Sequence, residues 1–248
     1  MLRNGERGAT VPANENIFQF ANVSTLLRGE PEQIRSELAR STPARAALYV
    51  IVIVLGAGLY GASVGCWRSP LQGAYTALKL PLILLATTLG NALLNAMLAP
   101  LLGLNLRFRE TLLAILMSFT IAAVILGSFS PLVWFITWNL PALDPKTQIS
   151  FHVHGFHLTT QVLLIALAGI AANMRLIQLL THLSGSKQTA RRVLLAWLAG
   201  NLLLGSQLSW LLRPFVGSPG LPVEFLRREA LHGNFFESLL NAAKSLFS

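Results

Sequence analysis

Three histidines lie within six positions at the start of a long apolar stretch, in the sequence ISFHVHGFHLTTQ (residues 149–161). Histidine binds metals and titrates near neutral pH, so the cluster could be a metal site or a pH-responsive pair. On a helix, His154 and His157 share a face that Gln161 continues, while His152 lies about 160° from His154. The three rings would converge only on a broken helix or with a ligand from elsewhere.

A metal site in hydrocarbon also needs anionic ligands or a carboxylate second shell, and the nearest acid is Asp144 in the preceding connection. The sequence therefore favours a third interpretation, in which the histidines are polar groups at a helix end that bond to neighbouring helices. A metal site formed by His152, His154 and His157 and a pH-responsive pair remain alternatives.

Other patterns typical of catalysis are missing from the sequence. GxSxG, HExxH, a Walker loop, CxxC and GxGxxG do not occur. The stretch SGSKQTARR (residues 184–192) has the Ser, Gly and Lys of a phosphate loop without the glycine spacing, and it fits a basic loop that meets anionic lipid. Cys66 is the single cysteine, so an intramolecular disulfide is impossible. We therefore expect a protein that is not an enzyme and needs no cofactor.

Composition identifies the elements that must hold these side chains. The chain is 53% hydrophobic and 12% charged, whereas soluble domains carry about 25% charged residues. Five stretches without Asp, Glu, Lys or Arg each have about 20 residues or more, enough to cross ~30 Å of hydrocarbon as a helix. The sequence thus predicts an all-α integral membrane bundle at 46–213 with five transmembrane helices, at about 46–67, 80–103, 111–138, 152–175 and 192–213.

Polar segments flank this membrane domain on both sides. Residues 1–45 form a polar amino-terminal segment, with one helical signal at 31–40 (PEQIRSELAR). Residues 214–248 begin with a Pro/Gly-rich turn and end in a predicted amphipathic helix, where Asn234 and Glu237 resemble a capping box. That helix would lie at the lipid surface or pack on loops of its own chain.

Basic residues predict the orientation. Of the 19 Lys and Arg, twelve fall in the amino-terminal segment and the second and fourth connections, and seven fall on the other side. The positive-inside rule places the amino terminus in the cytoplasm and the carboxyl terminus across the membrane. The net charge is +9, but the Lys and Arg residues that carry it flank the apolar stretches, so nucleic-acid binding is not expected. Interface anchors at the far side would be Arg213 and the tryptophans Trp67, Trp134, Trp138 and Trp210.

Small and amide side chains recur at helical spacing inside the predicted spans. Such residues allow close helix packing and interhelical hydrogen bonds, each contributing about 0.6–2 kcal/mol. The glycines are Gly58, Gly61, Gly65 and Gly205. The alternative is a polar path through the bundle, lined by Asn91, Asn95, Asn201, His154, His157 and Gln161.

Two stretches resemble an uncharacterised bacterial inner-membrane family: GLYGASVGCWRSPLQGAYTALKLPLILL (58–85), and WLLRPFVGSP (210–219) followed by GNFFES (233–238). The order of parts more distantly resembles Yip1-type membrane proteins, which are implicated in membrane trafficking and contacts with small lipidated GTPases. This resemblance implies an inner-membrane location but maps no functional residue.

Three functions follow as hypotheses. The first is a non-enzymatic membrane organiser or a subunit of a larger membrane complex, with the lipid bilayer and other membrane subunits or further copies of itself as partners. The second is a small transporter or channel. The third is a membrane metalloenzyme that uses the histidine cluster.

Overall fold

The structure, a computed structural model, describes residues 43–104, 106–141, 148–218 and 220–246. Regular structure in these residues is helical throughout, in six helices: α1 (Pro43–Gly65), α2 (Pro70–Leu101), α3 (Phe108–Asn139), α4 (Gln148–Ser184), α5 (Lys187–Leu212) and α6 (Phe235–Leu246). The first five are long and apolar enough to cross a membrane. The prediction of an all-α membrane bundle with five spans is confirmed. The helix predicted at 31–40 lies outside the described residues.

Each of the five long helices begins ahead of its predicted span, and the difference is largest in α2. Ser69 caps this helix by accepting a hydrogen bond from the backbone N–H of Gln72 at 3.1 Å, and Pro70 occupies its first turn. A start at Pro70 places Lys79 inside α2, whereas the charge-free stretch predicts Lys79 in the preceding connection. The helix is therefore 32 residues, or about 48 Å, long.

Glycine brings α1 and α2 into close contact. A Cβ on Gly61 would lie 2.5 Å from the backbone oxygen of Thr76, and one on Gly65 would lie 2.6 Å from that of Gln72. Gly58 is less tightly packed, because its Cβ would meet Ala77 O at 3.4 Å. The small residues on this face therefore allow backbone-to-backbone packing of the kind that holds helices together in lipid.

Helix α1 packs against both α2 and α3. Helix α5 packs against α2, α4 packs against α3, and α4 and α5 contact each other. One apolar core joins the beginning of α1, the first half of α3, the end of α4 and the beginning of α5. A second core joins the other ends of α1 and α3 to the first half of α4. This second core surrounds the predicted histidine site.

The chain after α5 folds back onto the end of the bundle. Arg68 donates a hydrogen bond to Leu221 O at 3.1 Å, and Gln207 Oε1 accepts one from the backbone N–H of Phe235 at 3.3 Å. Asn234 Oδ1 accepts from the N–H of Glu237 at 2.8 Å and so caps α6. The apolar side chains of Phe236 and Leu240 on α6 remain exposed.

Candidate functional site

A buried polar network connects α1 and α4 at the end of the bundle where α4 begins. The Tyr60 hydroxyl donates to Gln161 Oε1 at 2.5 Å, across 101 residues of sequence. Gln161 Nε2 lies 3.4 Å from His157 Nδ1, and His157 Nε2 lies 3.2 Å from the backbone oxygen of Val64. Tyr60 and His157 are fully buried, and Gln161 is 5% exposed. The arrangement ties two transmembrane helices together through polar groups that lipid cannot solvate.

Trp67 joins both histidines that share a face of α4. Its ring lies 5.7 Å from that of His154 in a stacked geometry and 5.6 Å from that of His157 in a tilted one. His152, by contrast, is exposed. In the described part of the chain, no three His, Cys, Asp or Glu side chains come close enough to hold one metal ion. His157 is therefore packed at the helix end and bonded to a neighbouring span, whereas His154 packs against Trp67 and its Nδ1 has no hydrogen-bond partner among the described residues.

A second polar network connects α2 and α5. Asn91 Nδ2 donates to Trp197 O at 3.2 Å and to Asn201 Oδ1 at 2.6 Å, and Asn95 Nδ2 donates to Asn91 O at 2.8 Å. Gly205 faces Thr87, with ordinary van der Waals spacing. The structure therefore separates the residues of the predicted path into two groups, since the histidines and Gln161 lie between α1 and α4.

Lys79 is a buried cation that sequence reasoning missed. Its side chain is fully buried, and Nζ donates to the backbone oxygen of Pro214 at 2.8 Å. The ammonium lies 5.0 Å from the ring centre of Phe225 and 5.9 Å from those of Tyr75 and Phe215. Aromatic faces attract cations, so these rings replace part of the hydration that burial removes.

Two neighbours on α2 complete the attachment of the segment after α5. Gln72 Nε2 donates to Pro214 O at 3.0 Å and to Phe215 O at 2.9 Å, and Thr76 Oγ1 donates to Phe215 O at 2.5 Å. Gln72, Thr76 and Lys79 are spaced four and three residues apart, as residues on one face of a helix are, and this spacing is visible in the sequence. It was missed because the charge of Lys79 places that residue in the connection before the predicted span.

The predicted interface residues lie in two environments. Trp134 and Trp138 are 40% and 84% exposed, and together with Trp67 they line a cavity of about 310 Å³. Arg213 folds back onto the end of α5: Nη1 donates to Trp210 O at 2.8 Å, and the guanidinium lies 3.6 Å from the Trp210 ring centre. Arg213 therefore caps the end of α5.

Comparison with known proteins adds no relative: the chain matches no protein-family model, no curated protein and no solved structure.

Proposed function

We propose that this multi-pass membrane protein is a non-enzymatic subunit of a larger membrane assembly, in which α4 contacts a second copy of the chain. Support comes from the side of α4 opposite His157 and Gln161. Small and polar residues repeat along that side at helical spacing. They are Gly155, Thr159, Ala166, Gly169 and Asn173.

The observation that carries the proposal is a contrast between glycines. At each glycine in α1, α2, α3 and α5, an added Cβ would have a neighbouring atom within 4 Å, whereas at Gly155 and Gly169 it would have none among the described residues. A glycine inside a helix costs about 1 kcal/mol relative to alanine, so close approach of another helix is its usual reason. Because Gly155 and Gly169 are separated by close to four turns, they lie on one line facing outward.

Leucines at these two positions test the contact. In mild detergent we expect the wild-type chain to run as a dimer or larger by light scattering. Gly155→Leu with Gly169→Leu should weaken association at least tenfold, because bulky side chains prevent close approach. Ala199→Leu is the matched control, since it makes a similar change on an exposed part of α5. A wild-type monomer at all concentrations contradicts the proposal.

The second candidate, a transporter or channel, is favoured by the buried face of α2. Gln72 Oε1, Thr87 Oγ1 and Asn95 Oδ1 on that face are buried and have no hydrogen-bond partner within the described ranges. Polar atoms of this kind could line a path for a small solute. Solute flux through liposomes that hold the purified monomer would favour this function over the assembly subunit.

We further propose that the protein lies in a bacterial inner membrane, with the α4–α5 connection in the cytoplasm and the segment after α5 outside. The excess of Lys and Arg at the first end supports this orientation. In a Cys66→Ser background, an impermeant maleimide added to intact cells should label Leu231→Cys and leave Lys187→Cys unlabelled. Both positions are exposed, so accessibility in the folded chain is matched. The reverse pattern contradicts the orientation.

A further inference from the structure

An open cleft of about 850 Å³ lies between the end of α4 and the beginning of α5. Three cations line it: Arg175 from α4, and Lys187 and Arg191 from the first turns of α5. Gln178 and Thr181 add polar groups on the α4 side. Two helices that follow each other in the sequence thus present their positive charges to one space.

The three positive charges are not neutralised by carboxylates of the described residues. Arg175 Nη1 donates to Gln178 Oε1 at 3.3 Å, and ion pairs are not found for Lys187 or Arg191 within the described ranges. Glu110, the one described carboxylate at this end of the bundle, accepts a hydrogen bond from the Arg107 N–H at 2.9 Å and caps α3. The cleft therefore suits an anion.

The position of the cleft relative to the membrane indicates which kind of ligand would carry that anion. The charge-free stretch of α4 ends at Met174 and that of α5 begins at Val193, so the cations lie where hydrocarbon meets lipid headgroups. Ile177 and Leu194 give the same cleft an apolar wall. A ligand with a phosphate at one end and acyl chains at the other satisfies both halves.

We propose that this cleft binds the phosphate headgroup of an anionic phospholipid. Arg175, Lys187 and Arg191 contact the phosphate, while Ile177 and Leu194 pack against the upper acyl chain. Basic pockets between transmembrane helices are known to hold lipid headgroups in this way. The site does not depend on the proposed contact of α4 with a second copy, because Arg175 lies about 160° around the helix from Gly155 and Asn173.

Lipid binding by the purified full-length chain tests the site. After delipidation in mild detergent, native mass spectrometry would measure bound phosphatidylglycerol and phosphatidylcholine with identical acyl chains. We expect at least a tenfold preference for phosphatidylglycerol. Arg191→Gln should lower that affinity about fivefold, the usual contribution of one cation at an anionic lipid surface. Combination with Arg175→Gln and Lys187→Gln should lower it about 100-fold.

Arg192→Gln is the matched control, because it removes the same charge from an adjacent exposed position that does not line the cleft. It should change affinity less than twofold. Equal losses for Arg191→Gln and Arg192→Gln would overturn the site in favour of diffuse attraction. Inorganic phosphate should leave the lipid bound; displacement at equal concentration would overturn the lipid assignment in favour of a soluble phosphorylated ligand. Gel filtration checks folding, and the single variant decides the result if the triple variant misfolds.

Discussion

Replacing Gly61 by alanine is expected to lower the free energy of unfolding by about 1–3 kcal/mol, as overpacking of a tight contact does. The added methyl would lie 2.5 Å from Thr76 O and 2.8 Å from Thr76 C. These are backbone atoms, which cannot rotate away, so α1 and α2 must separate. Thermal or denaturant unfolding in detergent measures the change.

Gly58→Ala provides the matched control for this prediction. It adds the same methyl to the same helix less than one turn away, where the nearest atoms are at 3.4 and 3.9 Å. We expect a change within about 0.5 kcal/mol, because these are close to ordinary contact distances. Equal effects of the two substitutions would show that the α1–α2 approach does not determine stability.

Replacing Gln161 by leucine is expected to lower the free energy of unfolding by about 2–3 kcal/mol. The change leaves the Tyr60 hydroxyl and His157 Nδ1 without their partner, and both side chains are fully buried. A buried polar group left unsatisfied costs about 1–3 kcal/mol, toward the lower end in membranes because the unfolded reference state also finds partners.

A double-mutant cycle separates the lost hydrogen bond from general repacking. Tyr60→Phe removes the donor, so its combination with Gln161→Leu should destabilise by less than the sum of the single changes, with a coupling of about 1 kcal/mol. Thr160→Val changes a neighbouring residue that bonds to its own helix, through Phe156 O at 3.0 Å, and should have little effect. Strict additivity would mean that Tyr60 and Gln161 are not coupled.

The five spans could be predicted because the bilayer imposes a coarse requirement, a run of about 20 residues without charge. The same requirement places the beginning of the second span too late. Because Lys79 is charged, the uncharged run begins only at Leu80, whereas α2 begins at Pro70. In the structure, the oxygen of Pro214 and the ring of Phe225 make burial of that charge tolerable. Those partners are remote in sequence, and no local pattern indicates them.

The candidate site could also be predicted only in part: the face that the histidines share followed from the sequence, but their partners on other helices did not. Helical spacing placed His154 and His157 on one side, and both contact Trp67. Tyr60 was missed because periodicity assigns a residue to a face of its own helix but does not say which helix covers that face. Pairings such as Tyr60 with Gln161 arise from tertiary packing, so they required the structure.

Lys79 also has a consequence for biogenesis. The carbonyl that receives its ammonium belongs to Pro214, which the ribosome adds 135 residues later. Until then, Gln72 and Thr76 lack the same segment as an acceptor. The first turns of α2 therefore reach their final environment after α5 has been synthesised, and a chain shortened before Pro214 would expose a cation and two polar side chains to the translocon or to lipid.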